Sequence, residues 1–222
     1  MQSDVVVITG ANRGIGLSLA RLYANQGHAV YAVCRQTSPE LSALKLNVID
    51  GIDITNPSDI HRLQQSLSGV TIQLLINNAG ILREEDFGQL NSESIREQFE
   101  TNALAPILLT EALAGNLSTG SKIAFITSRM SSIADNNSGG YYGYRMSKAA
   151  LNVAAKSITV AMKPRKISVA ILHPGLVGTD MIGGYGDITP DEAAQRLSQR
   201  IEELTLENSG RFLHANGEQL PW

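Results

Sequence analysis

Tyr144 and Lys148 stand four residues apart in Tyr144-Arg145-Met146-Ser147-Lys148, a spacing that places both side chains on one face of a helix. A free phenol titrates near ~10 and is a poor acid–base catalyst at neutral pH. A neighbouring ammonium favours the phenolate and lowers that pKa. A tyrosine tuned in this way can give a proton to a carbonyl oxygen while hydride reaches the carbon, most effectively when its pKa lies near the working pH. The same five residues also describe an ordinary tyrosine and lysine on a solvated helix, so the pair gains meaning only from its surroundings.

A second cluster lies near the start of the chain, at Thr9-Gly10-Ala11-Asn12-Arg13-Gly14-Ile15-Gly16. Its spacing is G-x-x-x-G-x-G, not the G-x-G-x-x-G of the general dinucleotide fingerprint. Glycines allow a tight strand-to-helix turn and let backbone N–H groups approach a pyrophosphate, to which the helix N-terminus adds a favourable dipole. A plain tight turn is the alternative. A site selective for NAD usually carries an acid about 20 residues further on, on the ribose 2′-hydroxyl. Here the segment reads Val33-Cys34-Arg35-Gln36, with no acid. Arg35 can pair with a 2′-phosphate through its planar fork, and Arg13 can add a second charge. That favours NADP(H) over NAD(H), against the alternative of two solvated arginines.

The elements that must position these residues follow from the apolar pattern. Short apolar runs at 5–9, 29–34, 46–49, 72–76, 122–127 and 167–172 read as strands, with a short seventh at 212–213. Helical spacing marks 15–26, 55–67, 92–117, 144–162 and 190–206. Thr55 is the expected cap of the second helix, with Pro57 in its first turn, and the third is expected to break near Thr101–Asn102. Strands alternating with helices predict a parallel, doubly wound α/β sheet, Rossmann-type, with its ligand at the carboxyl ends of the strands. Residues 135–140 and 183–187 read as loops, not linkers, so residues 1–222 are expected to form one domain.

Composition bounds the function. The chain has 222 residues, 43% hydrophobic and 18% charged, which is ordinary globular composition. A net charge of -3 argues against a nucleic-acid partner. Cys34 is the single cysteine, so no intrachain disulfide can form, which fits a reducing, cytoplasmic location. No stretch approaches the ~20 apolar residues of a membrane span. The start Met1-Gln2-Ser3-Asp4 lacks the basic residues of a signal peptide. His28, His61, His173 and His214 are scattered, so no metal site is expected. His173 is expected to support the backbone or core, with the pocket as the alternative. Glu84-Glu85-Asp86 reads as a solvated loop. Tyr141 and Tyr142 either line a substrate mouth or merely pack, and Trp222 either anchors the tail or enters a subunit contact.

Further motifs give the clusters company. Asn77-Asn78-Ala79-Gly80 follows the fourth strand, and Pro174-Gly175-Leu176-Val177-Gly178-Thr179 follows the sixth. Together with Thr9–Gly16 and the ordered set Asn102, Ser128, Tyr144 and Lys148, they make the chain resemble the short-chain dehydrogenases/reductases over residues 9–179. The ending from Gly210 to Trp222 is similar to the sniffer-type carbonyl reductases and the bacterial C-factor-like proteins within that family. The resemblance implies an NADP(H)-dependent enzyme acting on a small carbonyl or alcohol substrate, with an NADP(H)-binding sensor or signalling protein as the alternative.

It also implies roles by residue. Tyr144 would be the general acid or base, and Lys148 would lower its pKa and hold the nicotinamide ribose. Ser128 would bond the substrate oxygen, and Asn102 would fix the backbone and a proton-relay water. Gly10, Asn12, Arg13, Gly14, Ile15 and Gly16 would surround the pyrophosphate, with Arg35 at the 2′-phosphate. Asp53 and Ile54 would lie near the adenine, and Asn78, Ala79 and Gly80 along the ribose path. Pro174, Gly175, Val177 and Thr179 would shape the nicotinamide pocket. The family serine commonly lies about thirteen residues before its tyrosine, which is the place of Ser131. Ser128 is preferred because it directly follows the fifth strand, with Ser131 and Ser132 as rivals. Residues 181–206 would contain the substrate lid. The helices at 102–117 and 144–162, with Ala and Leu on their outer faces, would form a homodimer or homotetramer contact.

Overall fold

The computed structural model describes residues 4–222, so the expectation made on Met1–Ser3 lies outside the described residues. Seven parallel strands form one sheet: β1 (Val5–Thr9), β2 (Ala29–Val33), β3 (Asn47–Ile49), β4 (Ile72–Asn77), β5 (Leu117–Ile126), β6 (Ser168–His173) and β7 (Phe212–His214). Their order is β3-β2-β1-β4-β5-β6-β7, so the chain reverses its direction of travel between β1 and β4. In such sheets the crevice opens at the carboxyl ends of the strands, at that reversal.

The helices are α1 (Gly14–Asn25), α2 (Pro39–Ala43), α3 (Pro57–Ser66), α4 (Ser92–Phe99), α5 (Ala105–Ala112), α6 (Tyr142–Met162) and α7 (Pro190–Glu202). Strand side chains alternate between two faces. Val6 and Ile8 of β1 join a core under α1 and α7 with Leu19, Ala194, Leu197 and Ile201. Val7, between them, joins the opposite core under α3, α5 and α6 with Leu63, Leu109, Leu113 and Leu151. Both faces are therefore covered, which is why the strands read as continuous apolar runs.

Three local expectations are corrected. The cap of α3 is Asn56, whose side chain accepts from the Ser58 N–H at 2.9 Å. Thr55 instead donates its N–H and hydroxyl to the Asp53 carboxylate at 2.9 and 2.8 Å. The helix expected over 92–117 is interrupted where its break is expected, by a π-helical turn at Glu100–Leu104 between α4 and α5, but it ends at Ala112 rather than 117. Leu117 already belongs to β5, where it pairs with Ile72. The short helix α2 has no counterpart in the apolar pattern. It is capped by Ser38, whose hydroxyl accepts from the Leu41 N–H.

Candidate active site

The carboxyl ends of β1 and β4 are fastened together by one threonine and one asparagine. The Thr9 hydroxyl accepts from the backbone N–H groups of Asn78 and Ala79, at 3.0 and 3.1 Å. The Asn78 amide donates to the Thr9 and Gly10 carbonyls at 3.0 and 3.2 Å. Only glycine fits at position 16, because a Cβ there would fall onto the Gly10 carbonyl oxygen. The turn thus brings backbone against backbone, and α1 starts from it with neither a side-chain cap nor an acid in its first turn. An uncapped helix N-terminus of this kind is suited to an anionic ligand.

A cleft of about 620 Å³ runs from this turn to Tyr144 and Lys148. That is the size range of small-molecule and cofactor sites. Of the residues singled out by sequence, Gly10, Asn12, Arg13, Gly14, Ile15, Gly16, Arg35, Asp53, Ile54, Asn78, Ala79, Gly80, Tyr144, Lys148, Pro174 and Thr179 line it. Four do not. Gly175 packs against Ile188 and His214, and buried Val177 bridges to Ile188. Asn102 lies behind the wall, and Ser128 at its edge is buried.

Asn102 sits in the π turn. Its Oδ1 accepts from the Ile81 N–H, while its Nδ2 donates to the Ile81 carbonyl and the Ser147 hydroxyl, at 2.8, 2.8 and 3.0 Å. It fixes the backbone that follows Gly80 and ties it to α6. Lys148 is buried, and its ammonium donates to the Ile126 carbonyl at 2.9 Å. Burial pulls its pKa down to about 8. The ammonium lies 5.8 Å from the centre of the Tyr144 ring.

The phenol differs from expectation. Burial holds the Tyr144 pKa above its ordinary value, and the Ser128 hydroxyl beside it pulls the other way without prevailing. The nearby ammonium does not reverse this direction, because burial of the phenol is the dominant cause. A buried phenol with a raised pKa remains protonated, which is the form a proton donor needs.

The rival serines have other partners. Ser131 donates to the Ser128 carbonyl at 2.5 Å and accepts from the Asn152 amide at 2.6 Å. Ser132 donates to the Trp222 carbonyl and accepts from the Asp135 N–H. Trp222 stacks on Phe212 and so anchors the tail on the body. His173 packs edge-on against His214 at 4.8 Å, and burial, with help from the charges of His214 and Arg129, drives its pKa down to about 3. It does not line the cleft.

Arg13 and Arg35 are both exposed at the cleft and face acids at 3.8 and 4.0 Å, Asp180 and Asp53 respectively. Burial alone would raise the Asp53 pKa, but bonds from Thr55 and the charge of Arg35 bring it below the usual value. Cys34 also lines the cleft, and burial raises its thiol pKa, so it is a small apolar wall residue. Glu85 overturns the reading of 84–86 as a solvated loop: it is only 5% exposed and held by three donors. Its partners Ser94, Gln98 and Gly143 are distant in sequence, so no local spacing announces it. Among the described residues there is no cluster of metal-binding groups and no helix long and apolar enough to cross a membrane.

The family model for short chain dehydrogenases matches residues 4–190, well over half of the chain. The chain is a short-chain dehydrogenase. It is 37% identical over 225 residues to 1-hydroxy-2-glutathionyl-2-methyl-3-butene dehydrogenase of Rhodococcus sp. (strain AD45), covering 99% of this chain and 100% of that one. It is similar in structure to carbonyl reductase Sniffer of D. melanogaster, with a TM-score of 0.91, 28% identity and full coverage of both chains. The NADPH-bound carbonyl reductase from chicken fatty liver aligns with a TM-score of 0.89 and 30% identity, again over the whole of both chains. As a short-chain dehydrogenase the protein is an oxidoreductase, and its seven-stranded doubly wound sheet is the fold of these relatives.

Proposed function

We propose that this short-chain dehydrogenase is an NADPH-dependent carbonyl reductase in which Tyr144 donates the proton. One observation carries the reading: a buried, protonated phenol and a buried lysine share one cleft with a glycine turn built to receive phosphate. The cofactor fits the residues present. The glycine turn and the uncapped start of α1 suit a pyrophosphate, and two exposed arginines at the cleft suit a 2′-phosphate. NADPH, when bound, supplies the hydride.

The chain's own residues do the rest. Tyr144 gives its proton to the carbonyl oxygen, and Ser128 donates a hydrogen bond to the same oxygen as negative charge develops there. Lys148, whose pKa of about 8 lies near neutrality, binds a ribose hydroxyl and passes protons toward Tyr144. Asn102 holds the floor beneath Gly80 and Ile81 in register with α6. Asp53 and Ile54 receive the adenine, Asn78 and Ala79 the ribose path, and Pro174 and Thr179 the nicotinamide side. Residues 181–189 overhang this end as a lid. The rest of the expected lid belongs to the scaffold, because α7 packs on α1 and Asp191 bonds Ser18 and Arg21. A homodimer forms across α4–α6, where Phe99, Leu104, Leu108, Met146, Val153 and Val160 are exposed. A reducing cytoplasm suits the free Cys34.

Tyr144→Phe decides the matter. Loss of the proton donor should lower kcat for carbonyl reduction by about 10²–10⁴-fold, the range for general acid catalysis. The NADPH dissociation constant should stay within about twofold of the wild-type value, since the ring remains. Full turnover in Tyr144→Phe would end the proposal. NADPH binding by the wild type with no turnover across a broad panel of aldehydes and ketones would replace it with a sensing role.

A further inference from the structure

We propose that Glu85 is a positioning residue for Tyr144, holding the first turn of α6 from the loop that follows β4. The argument starts from a missing cap. Tyr141 stands at the N-cap position of α6 with no side-chain cap bond, and its φ of 52° lies in the left-handed region that favours glycine. A helix start without a local cap leaves N–H groups in need of partners. Here the partner comes from 58 residues away: Glu85 Oε2 accepts from the Gly143 N–H at 3.0 Å. The Glu85 backbone carbonyl also accepts from the Tyr141 N–H at 3.0 Å, so one residue holds both ends of the strained entry to the helix. Tyr144 is the next residue along.

Glu85 is itself held by α4. Its Oε1 accepts from the Ser94 hydroxyl at 2.7 Å and the Gln98 amide at 2.6 Å. Gln98 has no freedom to flip, because its own Oε1 accepts from the Arg83 N–H at 2.9 Å. Every group aimed at the Glu85 side chain is therefore a donor, and a carboxylate, which only accepts, satisfies them all. An amide of the same shape would turn an N–H toward one of them. Packing leaves no slack: a Cβ on Gly143 would come within 2.5 Å of Gln98 Nε2 and 3.0 Å of Ile95 Cα. Helices α4 and α6 meet at this point through a glycine and a buried carboxylate. The carboxylate also sits at the positive end of the α6 dipole, which favours negative charge.

The consequence concerns geometry at the phenol. A misplacement of about 1 Å can cost a reaction about 10²-fold. Glu85 touches neither cleft nor substrate, so its removal should disturb turnover and leave nucleotide binding alone. The role rests on the reading of Tyr144 as proton donor, and the test separates the two.

Three variants are compared with wild type: Ser94→Ala, Glu85→Gln, and the exchange Glu85→Gln with Gln98→Glu. In the exchange, the new amide at position 85 would accept from the Gly143 N–H and donate to the new carboxylate at position 98, whose other oxygen still accepts from the Arg83 N–H. Each protein is measured for kcat, for NADPH affinity by fluorescence titration, and for amide hydrogen exchange at Gly143 and Tyr144 without cofactor. Glu85→Gln should lower kcat at least tenfold, hold the NADPH dissociation constant within twofold and speed exchange at both amides. Ser94→Ala should show smaller changes of the same kind, and the exchange pair should return kcat and amide protection to within threefold of wild type. Unchanged amide exchange in Glu85→Gln, kcat losses that do not track amide exchange, or an exchange pair no better than Glu85→Gln overturns the proposal. If Glu85→Gln folds too poorly to bind NADPH, the exchange pair and Ser94→Ala decide by the same criteria. Amide exchange needs no turnover, so it judges Glu85 even if Tyr144→Phe were to remove the catalytic reading.

Discussion

The two ends of the cleft are built by different means. At the nucleotide end, contacts run from backbone to backbone or through short side chains, between the adjacent strands β1 and β4. Beyond the Tyr144 end, the loops that follow β4, β5 and β6 carry bulky, uncovered side chains that stand outside the cleft lining: Phe87 is 85% exposed, Ile133 84% and Tyr185 72%. The turn at the first end leaves little room for variation, because a Cβ at Gly16 would strike the Gly10 carbonyl. The second leaves its apolar groups largely uncovered, and in the proposed function substrate specificity would reside there. In the proposed function, the scaffold would serve the cofactor and the loops the substrate, as loops on a rigid frame commonly do.

That division can be broken from either side. The largest effect is expected at the nucleotide end, from Gly16→Ala. Its methyl group cannot coexist with the Gly10 carbonyl and would crowd the Asn78 amide, so the turn must open. Nucleotide affinity should fall by about 10²-fold or more, as loss of over 2.7 kcal/mol of binding, read by fluorescence titration. A variant that binds NADPH normally would show the turn to be less strict than its geometry states.

A middle effect is expected from Arg35→Asp. The change removes one cation and sets a second acid beside Asp53, 4.0 Å from the present guanidinium. The ratio of kcat/KM for NADPH over NADH should drop by about 10–10²-fold, in line with the worth of charge-assisted hydrogen bonds. An unmoved ratio would mean that Arg35 faces solvent only.

The smallest effect belongs to the substrate end. Tyr185→Ala, in the overhanging loop, should change KM for bulky carbonyls by about two- to tenfold, the worth of a partly buried apolar contact. NADPH affinity should not move. If Tyr185→Ala weakened cofactor binding as much as substrate binding, the two ends would not be separate devices.

The same contrast governs what is legible in the sequence. The glycine turn, the Asn77–Gly80 segment and the Tyr144–Lys148 pair are local patterns, and most of the turn, Asn78–Gly80 and the pair do meet in one cleft. Strands buried on both faces leave continuous apolar runs, which make the sheet readable. Asn56 escapes notice as a cap because Thr55 beside it has the same chemistry, and the competing acceptor Asp53 decides between them. The direction of the Tyr144 pKa is hidden because proximity of a lysine says nothing about burial, and burial dominates. Glu85 misleads because a run of three acids is normally solvated, whereas its donors come from α4 and α6. Such contacts exist only after the helices have packed.

The π-helical turn at Glu100–Leu104 has a geometric consequence for the long rod that contains it. One extra residue in a helical repeat rotates everything downstream by about 100° relative to everything upstream. The rod therefore carries two differently aimed stripes, one upstream meeting α6 through Gln98 and one downstream facing the sheet through Leu109 and Leu113. Asn102 sits at the step between the stripes. Deleting a single residue there would turn the stripes into one, and the amide that spans Ile81 and Ser147 would swing away from both.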